Sequence, residues 1–209
     1  MSILNKIAYL QNRRDEVPNQ QLARQLVEAH DQDGISEIAE NLWNKDGNIQ
    51  SDCIKVLYEV GYLEPDLITP YVGDFIRLLR NRDNRLVWGG MLALSTVAPV
   101  AADALDPHVR EIQGAMQRGS VITKDAGVLT LAGIASTSEE RRKEIFPFLL
   151  RHLQTCRPKD VPQHAEKTLV AVSTENKDEF IEVLRKRLDD MSSAQAKRVN
   201  KAIREAENR

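Results

Sequence analysis

The sequence has few of the features that mark secreted, membrane-spanning or metal-bound proteins. Its only cysteines, Cys53 and Cys156, stand far apart without a Cys-x-x-Cys partner, so we expect reduced core thiols and neither a disulfide framework nor a zinc site. No stretch approaches the roughly 18 uninterrupted apolar residues needed to cross a bilayer. The first residues also lack the apolar region of a signal peptide. We therefore expect a cytoplasmic protein that does not contact a membrane.

The chain also lacks a strong charge of either sign. Its 29 Lys and Arg residues against 31 Asp and Glu residues give a net charge of -2, which offers no general attraction for nucleic acid. Residues 1–138 carry 13 basic against 18 acidic side chains, whereas residues 139–209 carry 16 against 13. Such an imbalance could orient a partner, but solvated helix faces commonly show it.

Catalytic motifs are missing as well. The sequence contains no Gly-x-Ser-x-Gly elbow, no phosphate-binding loop, no Gly-x-Gly-x-x-Gly and no His-Glu-x-x-His. Its four histidines lack metal-ligand spacing, so each is predicted to be a helix-surface or packing residue. They are His30, His108, His152 and His164. We expect no catalytic residue, no cofactor and no metal, and we predict that the chain is not an enzyme.

A repeat of 37 to 38 residues is present instead. Four segments, which begin at Ile49, Leu86, Thr123 and Val161, agree in kind at positions i, i+4, i+8 and i+11. The second column is Cys53, Gly90, Gly127 and Ala165; the third is Leu57, Leu94, Leu131 and Leu169; the fourth is Val60, Val97, Ile134 and Val172. These positions share one stripe of an α-helix, so each segment is predicted to be an amphipathic helix. The small second column would let successive helical pairs pack closely.

A second series precedes these helices. Pro70, Pro107 and Pro147 each stand before an apolar run, 37 and 40 residues apart. Proline is tolerated in the first turn of a helix and kinks a helix interior, so the same geometry is expected to recur in either case. Turn-forming residues at 44–48, 81–84 and 157–160 separate the two helices of a pair.

This punctuation predicts about twelve helices and no strand. The predicted ranges are 2–13, 17–31, 34–44, 48–61, 66–80, 84–101, 105–118, 121–136, 139–156, 160–173, 176–190 and 192–207. We expect a single domain over 1–209, with an N-terminal cap (1–33), core repeats (34–190) and a C-terminal cap helix (191–209) whose Val199 and Ile203 face inward.

The paired helices, the proline of the first helix and the small-then-Leu pattern of the second resemble HEAT repeats, a family close to armadillo repeats. The resemblance implies an all-α fold, a right-handed α-α superhelix (a HEAT-like solenoid) of about 12 helices in five to six pairs. It also implies that the second helices line a concave surface. The basic residue that usually follows the first column is present only as Lys124.

Residues opposite the apolar stripe would line that concave surface, and their centre is unusually apolar. Exposed apolar surface with aromatic anchors and a polar rim is typical of a protein-binding site. The predicted protein-binding residues are Lys55, Tyr58, Tyr62, Trp88, Leu92, Leu129, Lys167 and Val170. The opposing interpretation is that curvature or a neighbouring helix buries them. Gly89 has two interpretations as well, a close helix crossing or the approach of a ligand or partner.

The leading functional hypothesis is a non-catalytic interaction module or scaffold that receives a helix or extended segment of a protein partner. The sequence identifies neither this partner nor an oligomeric state. The alternative is a nucleic-acid-binding protein resembling HEAT-like alkylpurine DNA glycosylases, which hold DNA in a basic groove. Trp88 and the run Arg77, Arg80, Arg82 and Arg85 favour this alternative, whereas a predicted groove with only Lys55 and Lys167 as cations makes nucleic acid an unlikely partner.

Overall fold

The computed structural model describes residues 2–209 and divides the chain into two compact units, Met1–Gly127 and Val128–Arg209. The helices that begin in the first unit are α1 (Val17–Glu28), α2 (Gln32–Glu40), α3 (Gly47–Leu63), α4 (Val72–Leu78), α5 (Asn84–Val97), α6 (Ala102–Leu105), α7 (Val109–Arg118) and α8 (Val121–Ser136). Helix α3 packs against α1 on one side and α5 on the other, while α2 packs against α3 and α4 against α5. The boundary between the units falls within α8.

The second unit contains the remaining helices, which are α9 (Glu139–Thr155), α10 (Val161–Thr168), α11 (Lys177–Arg187) and α12 (Ser193–Glu207). Helix α9 packs against α10 and α11, and both of these pack against α12. Val199 and Ile203 of α12 are buried, as predicted. Between residues 2 and 209 there is no strand, so the predicted all-α class is confirmed.

Turns at the repeat junctions explain why the second helices start where they do. The Asp46 side chain accepts a hydrogen bond from the Asn48 amide at 2.8 Å, and Asp83 accepts one from the Arg85 amide at the same distance. The Asn44 side chain in turn accepts from the Asp46 amide, as Asn81 does from Asp83. An Asn-x-Asp sequence therefore caps α3 and α5 in the same way, because helix N-termini leave backbone donors that side-chain oxygens can satisfy.

The apolar columns form the cores of the units. Every residue of the four columns is buried except Ile49, which is half-buried. The largest fully buried side chains include Phe75 of α4 in the first unit and Phe180 of α11 in the second. Burying one such side chain stabilises a fold by roughly 1.5–3 kcal/mol.

At its two glycines, the small second column faces the first helix of the same pair, which corrects the expectation that it serves the stacking of successive pairs. A methyl group added to Gly90 of α5 would lie 3.0 Å from Cβ of Leu78, on the preceding helix α4. At Gly127 the same addition would lie 2.9 Å from Cβ of Met116, on the preceding helix α7. Contact between successive second helices falls on Gly89 instead, where the added methyl would meet Ile54 of α3 at 2.8 Å. The close-crossing interpretation of Gly89 is therefore confirmed.

The predicted helix over 2–13 is wrong. The segment forms two short 3₁₀ turns, Ile3–Lys6 and Tyr9–Gln11, and Asn12 lies in the left-handed region with φ 55°. The Ala8 amide donates to the Asn19 side chain at 2.9 Å, and the Tyr9 amide donates to Asp52 at 2.7 Å. Side chains of α1 and α3 thus satisfy amides that a helix would have bonded to its own carbonyls.

The three prolines do not share one geometry. Pro70 and Pro107 lie in 3₁₀ segments, Pro65–Tyr71 and Asp106–His108, each of which leads directly into an α-helix. Pro147 lies inside α9. The predicted single helices over 66–80 and 105–118 are divided at Pro70 and Pro107, where the missing amide proton removes an α-helical hydrogen bond. Helix α9, by contrast, continues through Pro147. Further 3₁₀ turns cover Asn41–Trp43, Leu169–Ala171 and Leu188–Asp190.

Candidate functional site

Three aromatic side chains of the first unit form a continuous cluster, which we call the aromatic face: Tyr58 and Tyr62 of α3 and Trp88 of α5. The ring centroids of Tyr58 and Tyr62 are 6.0 Å apart with an interplanar angle of 75°, and those of Tyr58 and Trp88 are 6.3 Å apart at 55°. Both distances are typical of edge-to-face aromatic pairs. Tyr58 is buried, Trp88 is half-buried and Tyr62 is 54% exposed, so the cluster rises from the core to the surface.

Lys55 packs against the Tyr58 ring of this cluster. Its Nζ lies 4.8 Å from the Tyr58 ring centroid and pairs with Glu16 at 2.8 Å and with Glu59 at 2.7 Å. Burial alone would lower the pKa of Lys55, but the hydrogen bonds to Glu16, Glu59 and Tyr58 outweigh it and raise that pKa. Burial also raises the pKa of Tyr58 to about 12, with Lys55 opposing it. Lys55 is therefore protonated, and its ion pairs with two carboxylates balance its charge and hold its side chain against Tyr58.

A cleft of about 450 Å³ opens beside the aromatic face, and Tyr58 and Trp88 form part of its wall. The N-terminal segment supplies another part through Tyr9, which is 41% exposed. Arg14 and Arg85 line the same cleft. Tyr9 could not be predicted as a cleft residue, because it lies outside the repeat and its position depends on the hydrogen bond from its amide to Asp52.

The other predicted site residues are distributed over both units. Leu92 is half-buried on α5, in the first unit with the aromatic face. Leu129, Lys167 and Val170 lie in the second unit, where the first two are half-buried and Val170 is 46% exposed. Of the eight predicted residues, the structure brings Lys55, Tyr62 and Trp88 into contact with Tyr58. Ala132, which the repeat also places opposite the apolar stripe, is fully buried.

The arginine run that favoured nucleic acid is largely paired with carboxylates. Arg80 donates to both carboxylate oxygens of Glu111, through Nε and Nη2. Arg77 lies 4.0 Å over the Trp43 ring and pairs with Asp74 at 3.3 Å. The bond to Arg80 holds the pKa of Glu111 below its usual value, so this glutamate remains charged at neutral pH. Such pairing reduces the positive field that phosphate binding requires.

A second cluster, in the second unit, was not predicted. His152 and Cys156 at the end of α9 and His164 of α10 bring their side chains together, so that one potential ligand atom from each lies within 4.8 Å of the other two. The sequence predicted His152 and His164 as surface or packing residues and no metal site, and the burial of His164 agrees with a packing role. The spacing His152-x-x-x-Cys156 was the available signal, but His164 joins it only through the turn between the two helices. Burial raises the pKa of the Cys156 thiol, while Arg187 opposes that effect.

Cys53 differs from Cys156 in its surroundings. It is fully buried, and this burial raises the pKa of its thiol to about 12, with Asp52 adding to the shift. A thiol of this kind is an inert core residue. Within residues 2–209, no helix is both long enough and apolar enough to cross a membrane.

Comparison with known proteins supports the fold. No family model matches the sequence, and no curated protein matches it. An engineered protein is 19% identical, with 100% of this chain and 98% of that chain covered and a TM-score of 0.69. A designed armadillo repeat protein in complex with the peptide (KR)4 is 12% identical, with 90% and 86% covered and a TM-score of 0.69. The karyopherin Kap121p bound to the SUMO protease Ulp1p is also 12% identical, with 96% and 22% covered and a TM-score of 0.65.

The structural neighbours and the columns of the sequence repeat indicate the same fold. The structural neighbours are helical repeat proteins, and this chain buries the same column positions in each of its repeats, apart from the half-buried Ile49. The protein therefore has an all-α fold of the HEAT-like, armadillo-type helical repeat class.

Proposed function

We propose that this protein is a non-catalytic binding module whose aromatic face receives a helix or an extended segment of a protein partner. The observation that carries the proposal is the cluster of exposed Tyr62, half-buried Trp88 and buried Tyr58 beside a cleft. Aromatic side chains offer large, rigid contact surfaces at low entropic cost, which is why they dominate binding hot spots. A peptide bound to a designed armadillo protein supports the use of this fold for binding.

The surroundings of the aromatic face limit the kind of segment that fits. Lys55 is paired with Glu16 and Glu59, so its positive charge is not available to a bound segment. Arg14 and Arg85 line the cleft together with Asp15, Glu16 and Asp52, so its wall carries charges of both signs. The segment we propose therefore places an apolar side chain against Trp88, and an acidic residue of that segment would lie best against Arg14 or Arg85.

The two tryptophans of the chain allow a matched test. Peptides would first be selected from a random display library on the wild-type protein and labelled with a fluorophore, and their affinities for the wild type and each variant measured by fluorescence anisotropy. Trp88→Ala is expected to weaken binding by about thirtyfold or more, the effect of removing a hot-spot residue worth about 2 kcal/mol. Trp43→Ala, which removes an indole that is 39% exposed elsewhere in the unit, should leave the affinity unchanged.

Circular dichroism separates binding from folding in the same experiment. Trp88→Ala should retain the helical spectrum of the wild type, because Trp88 is only half-buried. Equal affinity of the Trp88→Ala and Trp43→Ala variants would overturn the proposal, and a global loss of helicity in Trp88→Ala would assign Trp88 to the core. As a third readout, Tyr62→Ala should weaken the same peptides without affecting stability, since Tyr62 is the most exposed member of the cluster.

A further inference from the structure

The three side chains of the second cluster are held by two helices of one unit. His152 and Cys156 are four residues apart at the C-terminal end of α9, and this spacing places them on the same helix face. The chain then reverses over 157–160, where Arg157 binds Asp160 through two nitrogens at 2.7 and 3.2 Å. This closed turn brings α10, and with it His164, against the end of α9.

The distances suit a small tetrahedral cation. Nε2 of His152 lies 2.9 Å from Nδ1 of His164, and the ring centroids are 4.8 Å apart. Two imidazole nitrogens on one zinc ion are about 3.3 Å apart, and a nitrogen and a thiolate sulfur about 3.6 Å apart, from the usual bond lengths. The two nitrogens would move apart by a few tenths of an ångström, and the sulfur, within 4.8 Å of the other ligand atoms, would move by at most about 1.2 Å.

The donor set selects the class of metal. Two imidazoles and one thiolate form a borderline-to-soft set that suits zinc, whereas Mg²⁺ and Ca²⁺ require oxygen ligands. Three protein ligands leave one of the four tetrahedral positions for water or a further ligand. We propose that His152, Cys156 and His164 form a zinc-binding site at the junction of α9 and α10, independent of the aromatic face.

The surroundings hold the cysteine in place. Arg187, which is 9% exposed, donates hydrogen bonds to the backbone carbonyls of Gln154 and Cys156, each at 2.8 Å. These bonds fix the backbone that carries the thiol at the C-terminal end of α9. The guanidinium would oppose a neighbouring cation, but Asp190 lies 3.8 Å from it and a bound thiolate supplies a compensating negative charge. His164 is 1% exposed, so its imidazole is already desolvated before a metal arrives.

The competing interpretation is a hydrogen bond between the two histidines without any metal. One neutral imidazole can donate to the other, and the distance of 2.9 Å is equally typical of such a bond. The two interpretations differ at Cys156, because a histidine pair does not need the thiol whereas a zinc site uses its sulfur directly. The cysteine is therefore the residue on which the experiment turns.

The test uses the full chain, purified without a polyhistidine tag and stripped of metal with a chelator. Zn²⁺ affinity would be measured against a competing chromophoric chelator, and Co²⁺ would serve as a spectroscopic probe of thiolate ligation. We expect one Zn²⁺ per chain and a sulfur-to-cobalt charge-transfer band. Cys156→Ser should abolish that band and lower the Zn²⁺ affinity by more than the roughly 10–100-fold that loss of an outer-shell partner costs.

Two variants provide matched controls. Cys53→Ser removes the other thiol, which is fully buried, and His108→Gln removes a half-buried histidine of the first unit. Both should retain the charge-transfer band and the affinity, whereas His164→Gln should lower the affinity while circular dichroism shows a retained fold. Absence of stoichiometric Zn²⁺ binding, or unchanged binding in Cys156→Ser, would overturn the site and leave the histidine hydrogen bond as the explanation.

Discussion

Gly89 of α5 lies so close to Ile54 of α3 that a methyl group on Gly89 would come within 2.8 Å of Cγ1 and 2.9 Å of Cγ2 of Ile54. Ile54 is β-branched and 1% exposed, so it has little freedom to move away. Replacing a helical glycine by alanine usually gains about 1 kcal/mol, whereas overpacking a core costs about 1–3 kcal/mol. We expect Gly89→Ala to lower the free energy of unfolding by about 1 kcal/mol net, measured by urea denaturation.

Two comparisons isolate this contact. Gly73→Ala, at a position with no atom within 4 Å of the added methyl, should be neutral or stabilising by up to about 1 kcal/mol. In an Ile54→Ala background the obstacle is gone, so Gly89→Ala should become stabilising there. Additive effects of the Gly89 and Ile54 substitutions would show that the close crossing does not limit the packing of α3 and α5.

The sequence predicted what depends on periodicity. The buried columns place α8 at Val121–Ser136, as expected from the 37-residue period, and Asp46 and Asp83 begin equivalent helices. Periodicity does not say which neighbour a small residue faces, so Gly90 was assigned to the wrong contact. It also carries no information on contacts between different helices, which is why the meeting of Cys156 with His164 was missed.

Asn19 links the N-terminal segment to the helices and should control its order. This buried side chain accepts a hydrogen bond from the Ala8 amide at 2.9 Å and donates one to Asp52 at 2.8 Å. Asn19→Ala leaves both groups without this partner, at a cost of about 1–3 kcal/mol. We expect faster amide hydrogen exchange over residues 3–11, measured by mass spectrometry.

The exposed Gln21 on the same helix provides the matched control, because Gln21→Ala should leave exchange over this segment unchanged. Faster exchange throughout the first unit in Asn19→Ala would instead indicate a general loss of stability. Equal protection of the segment in both variants would contradict the anchoring role of Asn19.

Arg187 is expected to be the most important charged residue for the stability of the second unit. Its guanidinium donates to the carbonyls of Leu153, Gln154 and Cys156, which lie where α9 leaves carbonyls without helical partners. Arg187→Met keeps the apolar stem but removes all of these donors, so we expect a loss of about 2–4 kcal/mol in urea denaturation. Arg187→Lys should recover only part of this loss, since an ammonium group lacks the planar fork of donors.

Arg185 on the same helix is the control for charge alone. Its side chain is 63% exposed and pairs with Glu207 at 3.1 Å, so Arg185→Met should cost less than about 1 kcal/mol. Similar losses for the two methionine variants would mean that the buried hydrogen bonds of Arg187 contribute no more than a surface ion pair.

The ion pair between Glu166 of α10 and Arg198 of α12 should make the stability of the second unit depend on pH in acid. Arg198 donates to both oxygens of Glu166, at 2.9 and 2.6 Å, and these hydrogen bonds hold the pKa of Glu166 below its usual value despite partial burial. Because the folded-state pKa lies below the unfolded one, the stabilisation is complete above the unfolded pKa. It disappears as the pH falls through the folded-state pKa.

Since the two side chains are 41% and 51% exposed, solvent screening limits the contribution to about 1 kcal/mol at most. Glu166→Gln should therefore lower the free energy of unfolding by about 0.5–1 kcal/mol at pH 7, and this difference from the wild type should shrink toward zero as the pH falls below the folded-state pKa. In an Arg198→Gln background the same substitution should have little effect at any pH. A difference that stays constant across the acid range, or persists without Arg198, would show that the carboxylate charge of Glu166 does not stabilise the packing of α12 on α10.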